Sequence, residues 1–573
     1  MVRQQHSLAP AIKATVLPVA DLWCTYAACR TLKWLGVDMD PSHKEKTINV
    51  LQQRQNGDGG FAWSRGMRSD TWATFYCSQG LTFLIPDTLN KEALAGWADT
   101  TKSADGGYAM VPGQSSDIWA THYAVRVITE ICQKPIHEIK ALLSWLAKCQ
   151  AEDGGLTWSP EHAVFKRKSD VRACFYGVAA WRAVAQISPS DPPFDTKRLV
   201  QWIKNQQTSS GGFQLNCGAS EPCLWASYRA SATLSMLADR PLAPVDEYLC
   251  RTFGQNGPIR WQGYDIADIW AAFCWVGTAQ ANDFPITTEQ KDQICRAIQK
   301  MALPSGGFTY REPNSAVDSL AVASAALIDS ASGRENFTLV DWLNGCQMPN
   351  EGGIMYMPGR GAEVRCTHWA LAAGAIQNNQ KAQTDLRNWL SGLQNPDGGF
   401  GYWEGRASDL VSTAAAAETA YTILEQPEML DAAAIRRFVS KCAKADGTYS
   451  VVPGAESTAR STLQALRILN LLGENVTDQV RMVIDRHQVP SGGIAEHGKR
   501  LPDLATTYEA VITSKRVGLN HIIKDLELFL ARLTHDKAVA WNPMAPPTSE
   551  LMPVALATLL KSGCPEAPAL ALT

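Results

Sequence analysis

Gln394-Asn395-Pro396-Asp397-Gly398-Gly399-Phe400 is the stretch whose reading decides the fold. Paired glycines let a helix end and reverse through left-handed backbone, and the glutamine ahead of them can tie the turn to a neighbouring helix. The arrangement returns at Gln55 to Phe61, Gln150 to Leu156, Gln207 to Phe213 and Gln488 to Ile494, and ends another unit at Ala104-Asp105-Gly106-Gly107-Tyr108.

Working outward, each turn closes a unit of two helices. In the second unit Asp70 starts a small, apolar helix, Pro86 breaks it, and residues 90 to 101 carry amphipathic spacing up to the turn. Twelve such units are read, starting at Asp21, Asp70, Asp117, Asp170, Cys223, Asp268, Ala316, Glu363, Asp409, Glu456, Asp503 and Ser549, at intervals of 45 to 53 residues. A period of this length signals a repeat architecture. Acids at the first position suit helix N-caps, where a carboxylate accepts unsatisfied N–H groups at the positive end of the dipole.

The third position of the unit reads Trp23, Trp72, Trp119, Arg172, Trp225 and Trp270, then Asp318, Arg365, Val411, Thr458, Ala505 and Leu551. The tryptophans read as core. In this register only the stretch Ser315-Ala316-Val317-Asp318-Ser319-Leu320-Ala321-Val322 puts an acid there, pointing inward with the apolar equivalents. An acid in such a place is costly unless it is used or paired.

The chain has 573 residues, 45% hydrophobic and 19% charged, with a net charge of −3. That composition is ordinary for a globular protein of more than one domain, and no basic stripe argues for nucleic acid. The fifteen cysteines show no short paired spacing, and no leader pattern opens the chain, which predicts a reduced, cytoplasmic protein. No apolar run approaches the roughly 20 residues of a membrane span; peripheral contact with a bilayer stays open.

Helix pairs that bury only part of their apolar faces must stack on their neighbours, and small-residue helices inside amphipathic ones can close into a ring. The expectation is an all-α protein of two α/α barrels, each of about six helical hairpins. The boundary is placed near Asn282 to Thr288, giving a supporting barrel over 1–283 and a second barrel over 284–573 that carries Asp318.

The Gln-x-x-x-Gly-Gly-aromatic turns resemble the repeats of the squalene cyclase and prenyltransferase superfamily, over essentially the whole chain. Two such barrels in one polypeptide resemble the class II terpene cyclases, whose motif Asp-x-Asp-Asp-Thr-Ala falls here on Ala316-Val317-Asp318-Ser319-Leu320-Ala321. The middle acid matches and its two neighbours do not. The resemblance implies that Asp318 protonates an alkene or an epoxide of a linear isoprenoid and starts carbocation polycyclisation. It implies supporting roles for His and Cys, found here as Cys366 and His368 of the following unit, with Ser319 a third candidate to hold the proton. A free Asp, with pKa about 3.9, is ionised at neutral pH, and burial raises it by up to roughly 3–5 units.

Aromatic faces stabilise cations without attacking them. Tyr310, Tyr356 and Tyr402 stand three residues beyond the second glycine of successive units, and Trp403 and Trp369 join them as candidates. A diphosphate substrate would call on Arg311, Arg360 or Arg365, and on magnesium; no cofactor is otherwise expected. No metal site is expected either: Cys366-Thr367-His368 lacks the Asp-x-Cys of zinc protein prenyltransferases, and no Asp-Asp-x-x-Asp run is present. The partner expected is an isoprenoid small molecule. The alternatives are a non-catalytic isoprenoid- or protein-binding repeat protein and a zinc prenyltransferase-like enzyme.

Overall fold

A computed structural model describes residues 20–63, 67–165, 169–217, 219, 221–260, 267–310, 318–347, 352–356, 361–377, 379–519, 523–563 and 567–570. Among them the chain is helical, with only two minimal antiparallel hairpins, Phe253–Gly254 with Gly257–Pro258 and Thr534–His535 with Ala538–Val539. It divides into two compact units, Pro18–Ala316 and Val317–Thr573.

The first unit is a closed ring. Its inner helices are α1 (Leu22–Leu35), α2 (Thr71–Leu84), α3 (Ile118–Arg126), α4 (Val171–Ile187), α5 (Leu224–Met236) and α6 (Ile269–Ala281). Each packs on the next, and α6 returns to α1. Hydrogen bonds between the two ends of the unit close the ring: the Asp21 N–H donates to the Phe308 carbonyl at 3.0 Å, and the Phe308 N–H to Thr25 Oγ1 at 3.1 Å. Amphipathic outer helices follow the inner ones, the last at Thr288–Lys300. That helix packs on α6 and α1, so the first unit runs through residue 316 rather than ending at 283 as the sequence suggested. The interior is filled with indoles at the third position: Trp23 lies 3.9 Å from Trp270 and 5.9 Å from Trp225, and Trp72 lies 4.9 Å from Trp119, centroid to centroid.

The second unit repeats the plan with α7 (Ser319–Ala331), α8 (Val364–Ala372), α9 (Leu410–Glu418), α10 (Ala459–Leu471), α11 (Leu504–Arg516) and α12 (Leu551–Ser562), α12 packing back on α7. The all-α, two-ring architecture read from the repeat is the one observed.

The turn chemistry explains the repeat. The first glycine has positive φ, +97° at Gly398, and faces the carbonyl of Ala434 in the next outer helix. The second, Gly399, leaves room for Phe438 of that helix, whose ring would lie 2.7 Å from an added Cβ. Gln394 Nε2 donates to the Gly398 and Asp431 carbonyls at 3.0 and 3.1 Å, while its Oε1 accepts the Asp431 N–H at 2.9 Å. The glutamine thereby joins the turn to the cap of the next outer helix, as Gln150 does with Asp195. The fifth-position threonine serves the residue after the glycines: the Phe400 N–H donates to Thr413 Oγ1 at 3.0 Å, and Ile354 and Ile494 repeat this with Thr367 and Thr507.

Candidate functional site

Asp318 is the N-cap of α7, its Oδ1 accepting the Ala321 N–H at 2.7 Å. The acids that the sequence assigned to position one, such as Asp21, Asp70, Asp268, Glu363 and Asp409, do the same for their helices. The register is confirmed one residue on, where the Ser319 N–H reaches the Tyr356 carbonyl at 2.7 Å just as Val364 reaches Tyr402 and Ile269 reaches Tyr310. Unit seven therefore starts at Asp318 and not at Ala316, and Asp318 is equivalent to the capping acids rather than to the tryptophans. Units ten and twelve shift likewise, to Thr458 and Glu550.

What separates Asp318 from the other caps of its ring is its company. Glu363 pairs with Arg365 Nε at 2.7 Å, Asp409 takes the Ser412 N–H and hydroxyl at 2.7 and 2.9 Å, Asp503 takes those of Thr506 at 2.8 Å each, and Glu550 stands exposed. Asp318 is half-buried, and among the described residues it meets neither a cation nor a side-chain hydroxyl. Burial pushes its carboxyl above the ordinary aspartate value, against the pull of the Ala321 and Leu320 N–H groups.

The expected supporters divide. The buried Cys366 thiol is pushed well up, first by burial, then by Glu363, and also by Asp318, whose field reaches it. Ser319 does not hold the acid's proton, because its hydroxyl is spent on the Met355 carbonyl. His368 lies in a different environment. Its Nδ1 is 3.0 Å from Thr419 Oγ1, and its Nε2 accepts the Ala569 N–H at 2.9 Å, so both ring nitrogens are committed. That bonding assigns a neutral ring with the proton on Nδ1, and leaves neither nitrogen for a metal. Trp369 is fully buried with its Nε1–H on the Ala569 carbonyl at 2.8 Å, which makes it a partner of residue 569 rather than an open cation-stabilising face.

Tyr356 and Tyr402 stand half-buried at the end of the second ring where its inner helices begin, held there by their carbonyls. The Tyr402 ring is 5.0 Å from that of Trp403 and lies under the guanidiniums of Arg365 at 5.0 Å and Arg406 at 5.6 Å. Tyr310 is buried in the first unit, its carbonyl accepting the Ile269 N–H at 3.0 Å, so it does not share a ring with Tyr356 and Tyr402. Arg311 and Arg360 lie outside the described residues. Arg406, fully buried, was missed in the sequence because it sits in the turn rather than in a helix. Among the described residues no three His, Cys, Asp or Glu side chains group as a metal site, and no helix is long and apolar enough to cross a membrane.

The family model of the prenyltransferase alpha-alpha toroid domain matches residues 12–71, 65–250, 243–381 and 363–541. The chain belongs to this family. The matches of this prenyltransferase-type chain fall in both of its rings. No curated protein sequence matches the chain. Among solved structures it is similar to an ent-copalyl diphosphate synthase from Streptomyces platensis, 14% identical over 98% of this chain and 99% of that one, with a TM-score of 0.45. It is also similar to the type II terpene cyclase MstE from Scytonema, 12% identical over 44% of this chain and 88% of that one at TM-score 0.32. A third likeness is to a Candida albicans protein geranylgeranyltransferase-I complexed with GGPP, 15% identical over 42% and 82% at TM-score 0.34.

Proposed function

We propose that this toroid protein is a class II terpene cyclase in which Asp318 is the general acid. The observation that carries the reading is a half-buried carboxyl that meets no cation among the described residues and is pushed toward its neutral form, in the place where the motif of those cyclases falls on this chain. One oxygen, Oδ1, is engaged by the Ala321 N–H, so in this reading Oδ2 is the one that would carry the proton.

The step follows from that geometry. Asp318 Oδ2–H gives its proton to the terminal alkene carbon or epoxide oxygen of a linear isoprenoid, leaving a tertiary cation that successive double bonds attack. The sequence ends when the last cation loses a proton or takes up water, so the isoprenoid is isomerised or hydrated. Cys366, kept as a thiol beside the acid, adds no competing charge. Tyr356, whose carbonyl accepts the N–H of the residue after the acid, is an aromatic candidate to face the cation. Arg365 and Arg406, gathered over Tyr402, supply the positive charge that a diphosphate head group would need.

The test is a substrate panel. Purified protein is incubated with geranylgeranyl diphosphate, squalene, oxidosqualene and an isoprenoid-tailed phenol, and extracts are examined by gas chromatography and mass spectrometry. A cyclic product from one of them is the expected result. Turnover of none of the four would favour the non-catalytic binding protein.

A further inference from the structure

We propose that the interior of the second ring is a peptide-binding chamber, occupied in cis by residues 567–570. These four residues are buried although they belong to neither helix nor strand. What holds them is a set of side chains from the inner helices that addresses two consecutive peptide groups. Tyr508 Oη–H donates to the Pro568 carbonyl at 2.8 Å, and Trp369 Nε1–H to the Ala569 carbonyl at 2.8 Å. The Ala569 N–H is shared between His368 Nε2 at 2.9 Å and Glu418 Oε2 at 3.1 Å. All four receiving side chains are buried, and they come from α8, α9 and α11.

The receiving groups are themselves fixed from behind. Thr419 Oγ1 orients His368, and Arg467 on α10, fully buried, stands with its Nε 2.7 Å from Glu418 Oε1 and its Nη1 against Glu509 of α11. A charge cluster of this kind is expensive to bury, and it is justified here by presenting a carboxylate and an imidazole lone pair to one amide. The four polar contacts made with residues 567–570 all fall on backbone atoms, so the chamber reads peptide backbone and asks of the side chains only that they be small or apolar, as Ala569 and Leu570 are. The ligand class is therefore an apolar peptide, with this chain's own segment as its occupant.

The experiment uses the full chain with a protease recognition sequence placed across residues 564–566. After cleavage, the fragment beginning at Ala567 is expected to co-elute with the body in size-exclusion chromatography and to exchange with a labelled synthetic peptide of residues 567–573. A peptide carrying Ala569→Pro, which lacks the shared N–H, is expected to compete roughly tenfold more weakly or worse. Immediate loss of the fragment with unchanged melting, or equal competition by the proline peptide, would overturn the proposal. Should the cut chain denature, intact Ala569→Pro and Ala569→Gly variants decide: the proline variant melting clearly lower supports the chamber, and equal melting of the two refutes it.

Discussion

A carboxylate that caps a helix is ordinarily ionised and content to be so, since the helix N-terminus favours negative charge. Asp318 keeps the capping bond, is half-buried and meets no counter-ion among the described residues, and burial outweighs the helix N-terminus. Because the acid must be protonated to act, turnover should be highest on the acid side of the raised pKa and fall as pH rises through it, as a pH profile of initial rates would show. A second residue-scale prediction concerns the buried cluster. Burial alone would raise Glu418, but the Arg467 guanidinium prevails and holds it at about 2, whereas Glu509 is pushed up, first by burial. Glu418 therefore contributes stability that is complete above the unfolded value of about 4.3 and is lost as pH falls toward 2. Glu418→Gln should cost roughly 3–5 kcal/mol in urea unfolding at neutral pH, since it leaves Arg467 without its ionised partner, and Glu509→Gln distinctly less. Equal losses would mean that the two carboxyls share the charge. At this scale the sequence led to Asp318 by a misplaced register: both possible starts of unit seven lie within the 45 to 53 residue spacing, and the capping role of the acid is what distinguishes them. His368 and Trp369 were misread because their partner, residue 569, is about 200 residues away, beyond the reach of any local pattern.

Among the elements, the glycine turn was the legible one, because its demands are local and repeated: a left-handed residue, a missing Cβ opposite an aromatic, and a glutamine that bonds both ways. Those demands give graded predictions. At Gly447, which holds the place of Gly398 in the following turn, the φ is +79° but nothing lies within 4 Å of an added Cβ, so Gly447→Ala should cost about 1 kcal/mol from backbone strain alone. At Gly398 the strain is joined by collision with the Ala434 backbone, and Gly398→Ala should cost roughly 3 kcal/mol or more by chemical denaturation. Similar losses at both would show that the packing of the turn on the next helix contributes nothing.

For the molecule as a whole, two rings of one plan have been filled differently. The first is packed with indoles in mutual contact, which suits a scaffold; the second contains the Asp318 cap, the Tyr402 and arginine group, and the docked segment at 567–570. Trp225→Ala should therefore open a cavity and destabilise the protein by roughly 3–5 kcal/mol while leaving the identity of any cyclic product unchanged. The ring count followed from the number of repeats, but the division at residue 316 did not follow from the tryptophan pattern, because that pattern marks inner helices and each hairpin also owns the outer helix after it. The measurement that bears most directly on the account is a comparison of wild type with Asp318→Asn, for both product formation and melting temperature. Asparagine caps a helix as well as aspartate does but has no proton to give, so cyclic product should vanish while melting stays within about a degree or rises. A variant that still cyclises its substrate at the wild-type rate would show that Asp318 is a cap and nothing more.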